Sequence, residues 1–176
     1  SSQKIVLEND GSTANENRLG AIGDIRFVLE RQKIHDDLLV LAGDNMFDWG
    51  LKDFADFAKE KPDTFATGAY DIGDRSKANI YGVIEMDKSG KMVNFLEKPE
   101  DPPTSLIATG IYYFPQREFN VLAQFLTVGN EKDAPGNFIQ WLHKKEEVRC
   151  CVFKGIWYDI GSLESYRRAN LSFQEK

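Results

Sequence analysis

Three carboxylates and one lysine stand where solvation alone is a poor explanation for a charge. Asp44 directly follows the run Leu38-Leu39-Val40-Leu41-Ala42-Gly43, which reads as a strand buried on both faces. In an open α/β sheet, ligands bind in the crevice beyond the carboxyl ends of the strands. A carboxylate at that position reaches a ligand or a metal ion without being buried itself. Asp44 and Asn45 are also turn formers, and turning the chain is the simpler role. Glu97-Lys98-Pro99 sets an acid beside a base, and Pro99 disfavours a helical conformation at Lys98. An exposed charged pair that ends a strand is the alternative there. Asp159 lies within Trp157-Tyr158-Asp159-Ile160-Gly161, where an ionised side chain among apolar neighbours is costly unless it has a partner. It could instead cap the closing helix, although Ser162 is better placed for that.

These groups need elements to hold them. Ile5-Val6-Leu7 reads as a short strand, and Glu8 to Glu16 as a polar loop. Leu19, Ile22, Ile25 and Leu29 recur at helical spacing, with Asn15 or Asn17 as the cap and Gly20 and Gly23 inside the helix. Gly20 then serves either close helix packing or the approach of a flat ligand to the backbone. After the central strand, Leu51, Phe54, Ala55 and Ala58 predict a helix that Pro62 stops. Thr64 to Tyr70 is a strand, and Tyr81 to Met86 with Met92 to Leu96 is a hairpin around Asp87-Lys88-Ser89-Gly90-Lys91. Leu106 to Phe114 is a strand interrupted at Thr109-Gly110, where a bulge is one reading. Two helices around Phe119–Leu126 and Phe138–Leu142, strands at Val148–Phe153 and Ile156–Ile160, and a helix opened by Ser162 complete the chain. Early alternation of strands and helices with a later hairpin predicts a three-layer α/β fold with a mixed central sheet.

Composition narrows the partners. The 176 residues suit one domain, and a net charge of -6 without any basic run argues against nucleic acid. No apolar run is long enough to span a membrane and no signal peptide opens the chain, which predicts a cytoplasmic protein. Cys150 and Cys151 are neighbours on one strand and point to opposite faces, as reduced packing residues do. His35 and His143 lie in charged surroundings and read as surface residues.

Five short motifs, Leu41-Ala42-Gly43-Asp44-Asn45, Tyr81-Gly82-Val83-Ile84, Phe95-Leu96-Glu97-Lys98-Pro99, Ala108-Thr109-Gly110-Ile111-Tyr112 and Trp157-Tyr158-Asp159-Ile160-Gly161, occur in the order found in sugar nucleotidyltransferases. The chain resembles the glucose-1-phosphate thymidylyltransferase type of nucleoside-diphosphate-sugar pyrophosphorylase over essentially its whole length. The resemblance implies the Rossmann-like nucleotidyltransferase fold and a role for each match. Asp44 and Asp159 would hold Mg²⁺ between them. Gly82 would present backbone to the sugar, with Thr109 and Gly110 also lining that site, and Glu97 would accept hydrogen bonds from sugar hydroxyls. Lys98 would pair with the phosphate of the sugar 1-phosphate. Gly20, in Arg18-Leu19-Gly20-Ala21, falls where the family lines its nucleobase pocket.

The implied reaction joins a nucleoside triphosphate to a sugar 1-phosphate and releases pyrophosphate. Its nucleophile is already an anion at neutral pH, so positioning and electrostatics matter more than a general base. Two carboxylates with Mg²⁺, and a lysine on the side of the nucleophile, are the residue types this chemistry asks for. A metal-dependent glycosyltransferase of related architecture fits less well, because Met46 stands where an acid-x-acid pair would need its second acid. A non-catalytic sugar-nucleotide-binding subunit is the third reading. The family also opens with a strand and a glycine-rich loop that grips the triphosphate, and no segment here matches it. Residues 1–176 are therefore expected to be a partial catalytic domain, inactive alone. The Leu38–Gly43 edge would then be paired by a retained N-terminal segment or a second copy, or stay open at the expense of solubility.

Overall fold

The computed structural model describes residues 5–127 and 135–174. A six-stranded mixed sheet forms the middle layer. It contains β1 (Leu38–Leu41), β3 (Phe65–Asp71), β4 (Gly82–Met86), β5 (Met92–Glu97), β6 (Leu106–Phe114) and β7 (Val148–Phe153). Strand order is β5-β4-β6-β3-β7, and β1 also pairs with β6. Only β3 and β7 run parallel among the pairs that order the sheet; the rest are antiparallel. The short β2 (Asn45–Phe47) and β8 (Trp157–Asp159) form a separate antiparallel ribbon.

β6 organises the sheet. One of its edges pairs with β3, while the other is shared, with β4 joined at Ile107 and β1 at Ile111 to Phe114. Opposite β3 the register jumps: Thr67 faces Tyr112 and Ala69 faces Ala108, so Gly68 alone stands against Thr109-Gly110-Ile111. The interruption expected at Thr109-Gly110 is thus a bulge inside one continuous strand, with Gly110 at φ +70°.

One face of the sheet is covered by α1 (Ala21–Gln32), α3 (Asn120–Thr127) and α4 (Pro135–Leu142). Ile22, Phe114, Phe125, Phe138 and Leu142 are buried there, and the Phe138 ring meets Phe114 and Phe125 edge-on. The other face carries α2 (Leu51–Glu60), whose Phe54 and Ala58 pack on Ala66, Ile111 and Phe153. The last helix, α5 (Leu163–Gln174), follows β8, and the Ser162 hydroxyl accepts the Ser165 N–H at 3.0 Å as its cap. The match to the expected three-layer mixed α/β architecture is close.

Four local expectations change. Ile5-Val6-Leu7 forms no strand, and Ile5 and Leu7 are 85% and 92% exposed. No described strand lies beside it to take its backbone hydrogen bonds. Gly20 is not inside α1 but is its N-cap, at φ +75°, and that left-handed turn leaves Leu19 outside the helix. β1 is not buried on both faces. Leu38 and Val40 join the core under the helices, whereas Leu39 and Leu41, which point away from that layer, are 43% and 44% exposed. Among the described residues, β1 pairs with β6 alone. Finally, His143 is half-buried rather than superficial, and burial pushes its imidazole below the usual histidine range. Cys150 and Cys151 do face opposite cores, and Cys150 is buried with its thiol pushed up to about 12 by that burial. No helix among the described residues is long and apolar enough to cross a membrane.

Candidate active site

Asp44 is placed by two anchors. Upstream, the Ala42 N–H donates to the Gly110 carbonyl at 2.9 Å, which prolongs β1 along β6. Downstream, the chain enters β2, where Asn45 pairs opposite Asp159 and the Asp44 carbonyl accepts the Ile160 N–H at 2.7 Å. A tight crossing makes this possible. A Cβ on Gly110 would come within 2.8 Å of Ala42 and 3.1 Å of the Asn45 amide nitrogen. The ribbon is held at both ends, since Trp157 Nε1 donates to Asn45 Oδ1 at 2.8 Å and the Ile156 N–H donates to Asp48 Oδ1 at 2.8 Å.

The two acids expected to act together are therefore neighbours across one ribbon. Asp44 is exposed and accepts an N–H from its own neighbour, Asn45, at 2.8 Å. Asp159 is partly buried, and its carboxyl is held above the usual carboxylate range, first by that burial and then by the negative charge of Asp44; Lys98 opposes the shift. Among the described residues no group of three or more His, Cys, Asp or Glu side chains could hold a metal. A pair of carboxylates in mutual repulsion fits an ion such as Mg²⁺, which completes its shell with water and substrate phosphates, better than it fits a closed protein cage.

The sign of that shift gives a stability prediction. A carboxyl whose folded pKa lies above its unfolded value contributes stability that is complete at low pH and lost as pH rises through the shifted pKa. Asp159→Asn should therefore melt at a higher temperature than the parent at neutral pH, with the difference closing in acid. Mg²⁺ should raise the melting temperature of the parent and not of the variant. A lower melting temperature for Asp159→Asn at neutral pH would show that the carboxylate is held by a favourable partner.

Asp44, Asn45, Gly82, Glu97, Thr109, Gly110 and Asp159 all line one cleft of about 220 Å³. Gly82 begins β4 opposite Glu97 on β5, and a Cβ there would collide with the Phe95 ring and lie 3.2 Å from Glu97 Oε2. Lys98 follows with φ +46°, a left-handed conformation rarely adopted by a lysine, and its N–H donates to the Tyr81 carbonyl at 3.0 Å. Its side chain is exposed and does not line the cleft, but its charge reaches Asp159. Strained backbone of this kind clusters at functional positions. Thr109 is 1% exposed, and its hydroxyl, packed beside Gly68, has no hydrogen-bond partner.

Gly20, like Lys98, is a predicted residue that does not line this cleft. Its neighbour Ala21 lines a smaller apolar cavity of about 160 Å³, which shares Ala42, Tyr112 and Pro135 with the cleft. Several wall residues were not expected. Tyr81 and Trp157 meet edge-on at 5.5 Å between ring centroids and form one side. Tyr112 lies within the field of both Glu97 and Asp44, which adds to burial in pushing its phenol up. Gly136, from α4, forms part of the wall beside Glu97. A glycine at the second position of an apolar helix was the available signal, since glycine is a poor helix former.

A "Glucose-1-phosphate adenylyltransferase" from Thermomicrobium roseum is 30% identical over 145 residues, covering 79% of this chain and 33% of the relative. A "Putative mannose-1-phosphate guanyltransferase" from Sulfolobus acidocaldarius is 27% identical over 170 residues, covering 94% of this chain and 44% of the relative. The chain thus spans less than half the length of these curated relatives. A solved structure of a "Putative Glucose-1-Phosphate Thymidylyltransferase" from Bacillus anthracis superposes with a TM-score of 0.71 at 21% identity, over 87% of this chain and 61% of that one. That likeness shows the fold. The profile of the family described as "Nucleotidyl transferase" matches residues 2–176. The chain belongs to the nucleotidyl transferase family.

Proposed function

We propose that the protein bearing this chain transfers a nucleotidyl group from a nucleoside triphosphate to a sugar 1-phosphate. The observation that carries the reading is that Asp44 and Asp159, neighbours across one ribbon, line a cleft that Gly82 and Glu97 also line. In the reaction a phosphate oxygen of the sugar 1-phosphate bonds to the α-phosphorus, the α–β bridging bond breaks, and pyrophosphate leaves with that electron pair. Mg²⁺ held by Asp44 and Asp159 would offset charge on the transferring phosphoryl group.

The chain's own residues do the rest. Glu97, on the cleft wall, accepts hydrogen bonds from sugar hydroxyls and so reads their positions. Gly82, lacking a side chain, lets the sugar reach the β4 backbone. Lys98 supplies a point charge to the sugar phosphate and draws two anions within reach of one another. Thr109 and Gly110 close the floor, and Tyr81 with Trp157 shields one side from water. Gly20 with Ala21 marks the direction in which the nucleobase lies.

The test is pyrophosphate release by the complete gene product. The printed names of the relatives differ in base and sugar, so the panel pairs each of dTTP, ATP and GTP with glucose 1-phosphate and mannose 1-phosphate, with and without Mg²⁺. The five motifs put dTTP with glucose 1-phosphate first. The expected result is release that requires all three components. Release without any sugar phosphate, or none with any pair, would sink the reading.

A further inference from the structure

The Glu97 carboxylate occupies a slot between two glycines from different layers. Gly82 on β4 faces it from the sheet, where a Cβ would lie only 3.2 Å from Oε2. Gly136 on α4 faces it from the helical layer, and a Cβ there would overlap the carboxylate and lie 2.5 Å from Cδ. Side chains do not tolerate an overlap of that kind, so at Gly136 either the helix or the carboxylate would have to move. The backbone of the same residue is held as well: the Glu97 N–H donates to Gln140 Oε1 at 2.9 Å. Gly136 and Gln140 are four residues apart and share one face of α4. The helix therefore meets Glu97 at two points, its backbone and its carboxylate. The carboxylate lies against Gly136 in the first turn, where the helix dipole favours an anion.

We infer that Gly136, with Gln140, is a positioning residue for Glu97: the absence of a side chain at Gly136 fixes the carboxylate against the cleft wall and thereby sets which sugar hydroxyls it can accept. The inference rests on the reading of Glu97 as a sugar contact. It assigns the choice of sugar partly to a helix that touches neither phosphate nor metal. A side chain at 136 would drive the carboxylate toward the ligand space, with a loss in sugar affinity and selectivity rather than in the chemical step.

The test is a double-mutant cycle in the complete gene product, read by KM for the sugar 1-phosphate, kcat and melting temperature. Gly136→Ala alone should raise that KM about tenfold or more, in the range that a misplaced hydrogen-bonding group costs, with kcat and the KM for the nucleotide nearly unchanged. In a Glu97→Ala background, where the slot is empty, the same substitution should leave KM where Glu97→Ala put it. There it should raise the melting temperature, because alanine is the better helix former. Gln140→Met, which nearly keeps the volume and removes the amide that accepts the Glu97 N–H, should raise KM in the same direction by a smaller factor and serves if Gly136→Ala does not fold. An equal KM increase in both backgrounds, or wild-type KM in both Gly136→Ala and Gln140→Met, overturns the inference. Unchanged KM for Glu97→Ala instead overturns the sugar-contact role beneath it. If no pair of substrates turns over, the proposed reaction fails, while the melting-temperature cycle, which needs no activity, still decides whether Gly136 and Glu97 are coupled.

Discussion

Replacing Asp44 or Asp159 by asparagine is expected to lower pyrophosphate release by about a thousandfold or more, with the fold intact. An amide keeps the shape and one oxygen of the carboxylate but removes the charge that the proposed cation site requires. Losing several kcal/mol of charge stabilisation in the transition state corresponds to ~10³-fold in rate. Neither change threatens the structure. Asp44 is exposed, and its carbonyl, not its side chain, bonds to Ile160. Asp159→Asn relieves a repulsion. In the proposed site the two acids act as one unit, so the double variant should be scarcely slower than either single. Circular dichroism and steady-state rates across a Mg²⁺ titration check this. A single variant within about tenfold of the parent rate would take that residue out of the site, since tenfold is only ~1.4 kcal/mol.

Lys98→Ala is expected to lower kcat/KM for the sugar 1-phosphate about a hundredfold, close to the worth of one preorganised charged donor. The KM for the nucleotide should hardly move. The structure adds a second, independent readout. Lys98 is the group that opposes the rise of the Asp159 pKa, so its loss should move the acidic limb of the pH–rate profile to higher pH. Backbone strain must be separated from charge. At φ +46° a glycine is at ease and an alanine is not. Lys98→Gly should therefore be more stable than Lys98→Ala by ~1 kcal/mol, although both lose the same activity. Denaturant titration measures the difference. Unchanged sugar-phosphate kinetics in both variants would remove Lys98 from the phosphate contact.

Asp44, Gly82, Glu97, Gly110 and Asp159 stood out in the sequence because each carries a charge or a missing side chain that its neighbours do not explain. Asp159 among Trp157, Tyr158 and Ile160 is the clearest case, and the ribbon that partners it supplies the reason. The hairpin of β4 and β5 was legible from alternation and a turn, and its register sets Gly82 opposite Glu97. Periodicity could not show what depends on non-local pairing. An unbroken apolar run suggested that β1 was covered on both faces, yet the described packing on the α2 face does not extend over Leu39 and Leu41, which stay half open. The start of α1 was missed because spacing counts Leu19 as helical, while a left-handed φ at Gly20 decides otherwise. Gly136 did not stand out as a site residue, since nothing local says that its missing Cβ is filled by a residue on β5.

The ribbon of β2 and β8 also has a consequence for the order in which the protein is made. Trp157 and Asn45, whose hydrogen bond ties it, are 112 residues apart in sequence. Every strand pairing of the six-stranded sheet lies within residues that precede Trp157. Chains emerge from the ribosome amino end first, and contacts this far apart are the slowest to close. The last charge to reach the cleft is therefore Asp159, after the scaffold has all of its pairings. A chain cut short before Trp157 keeps every described strand pairing of the sheet and lacks Asp159, so in the proposed reaction interrupted synthesis would give an inactive scaffold rather than a weakened enzyme.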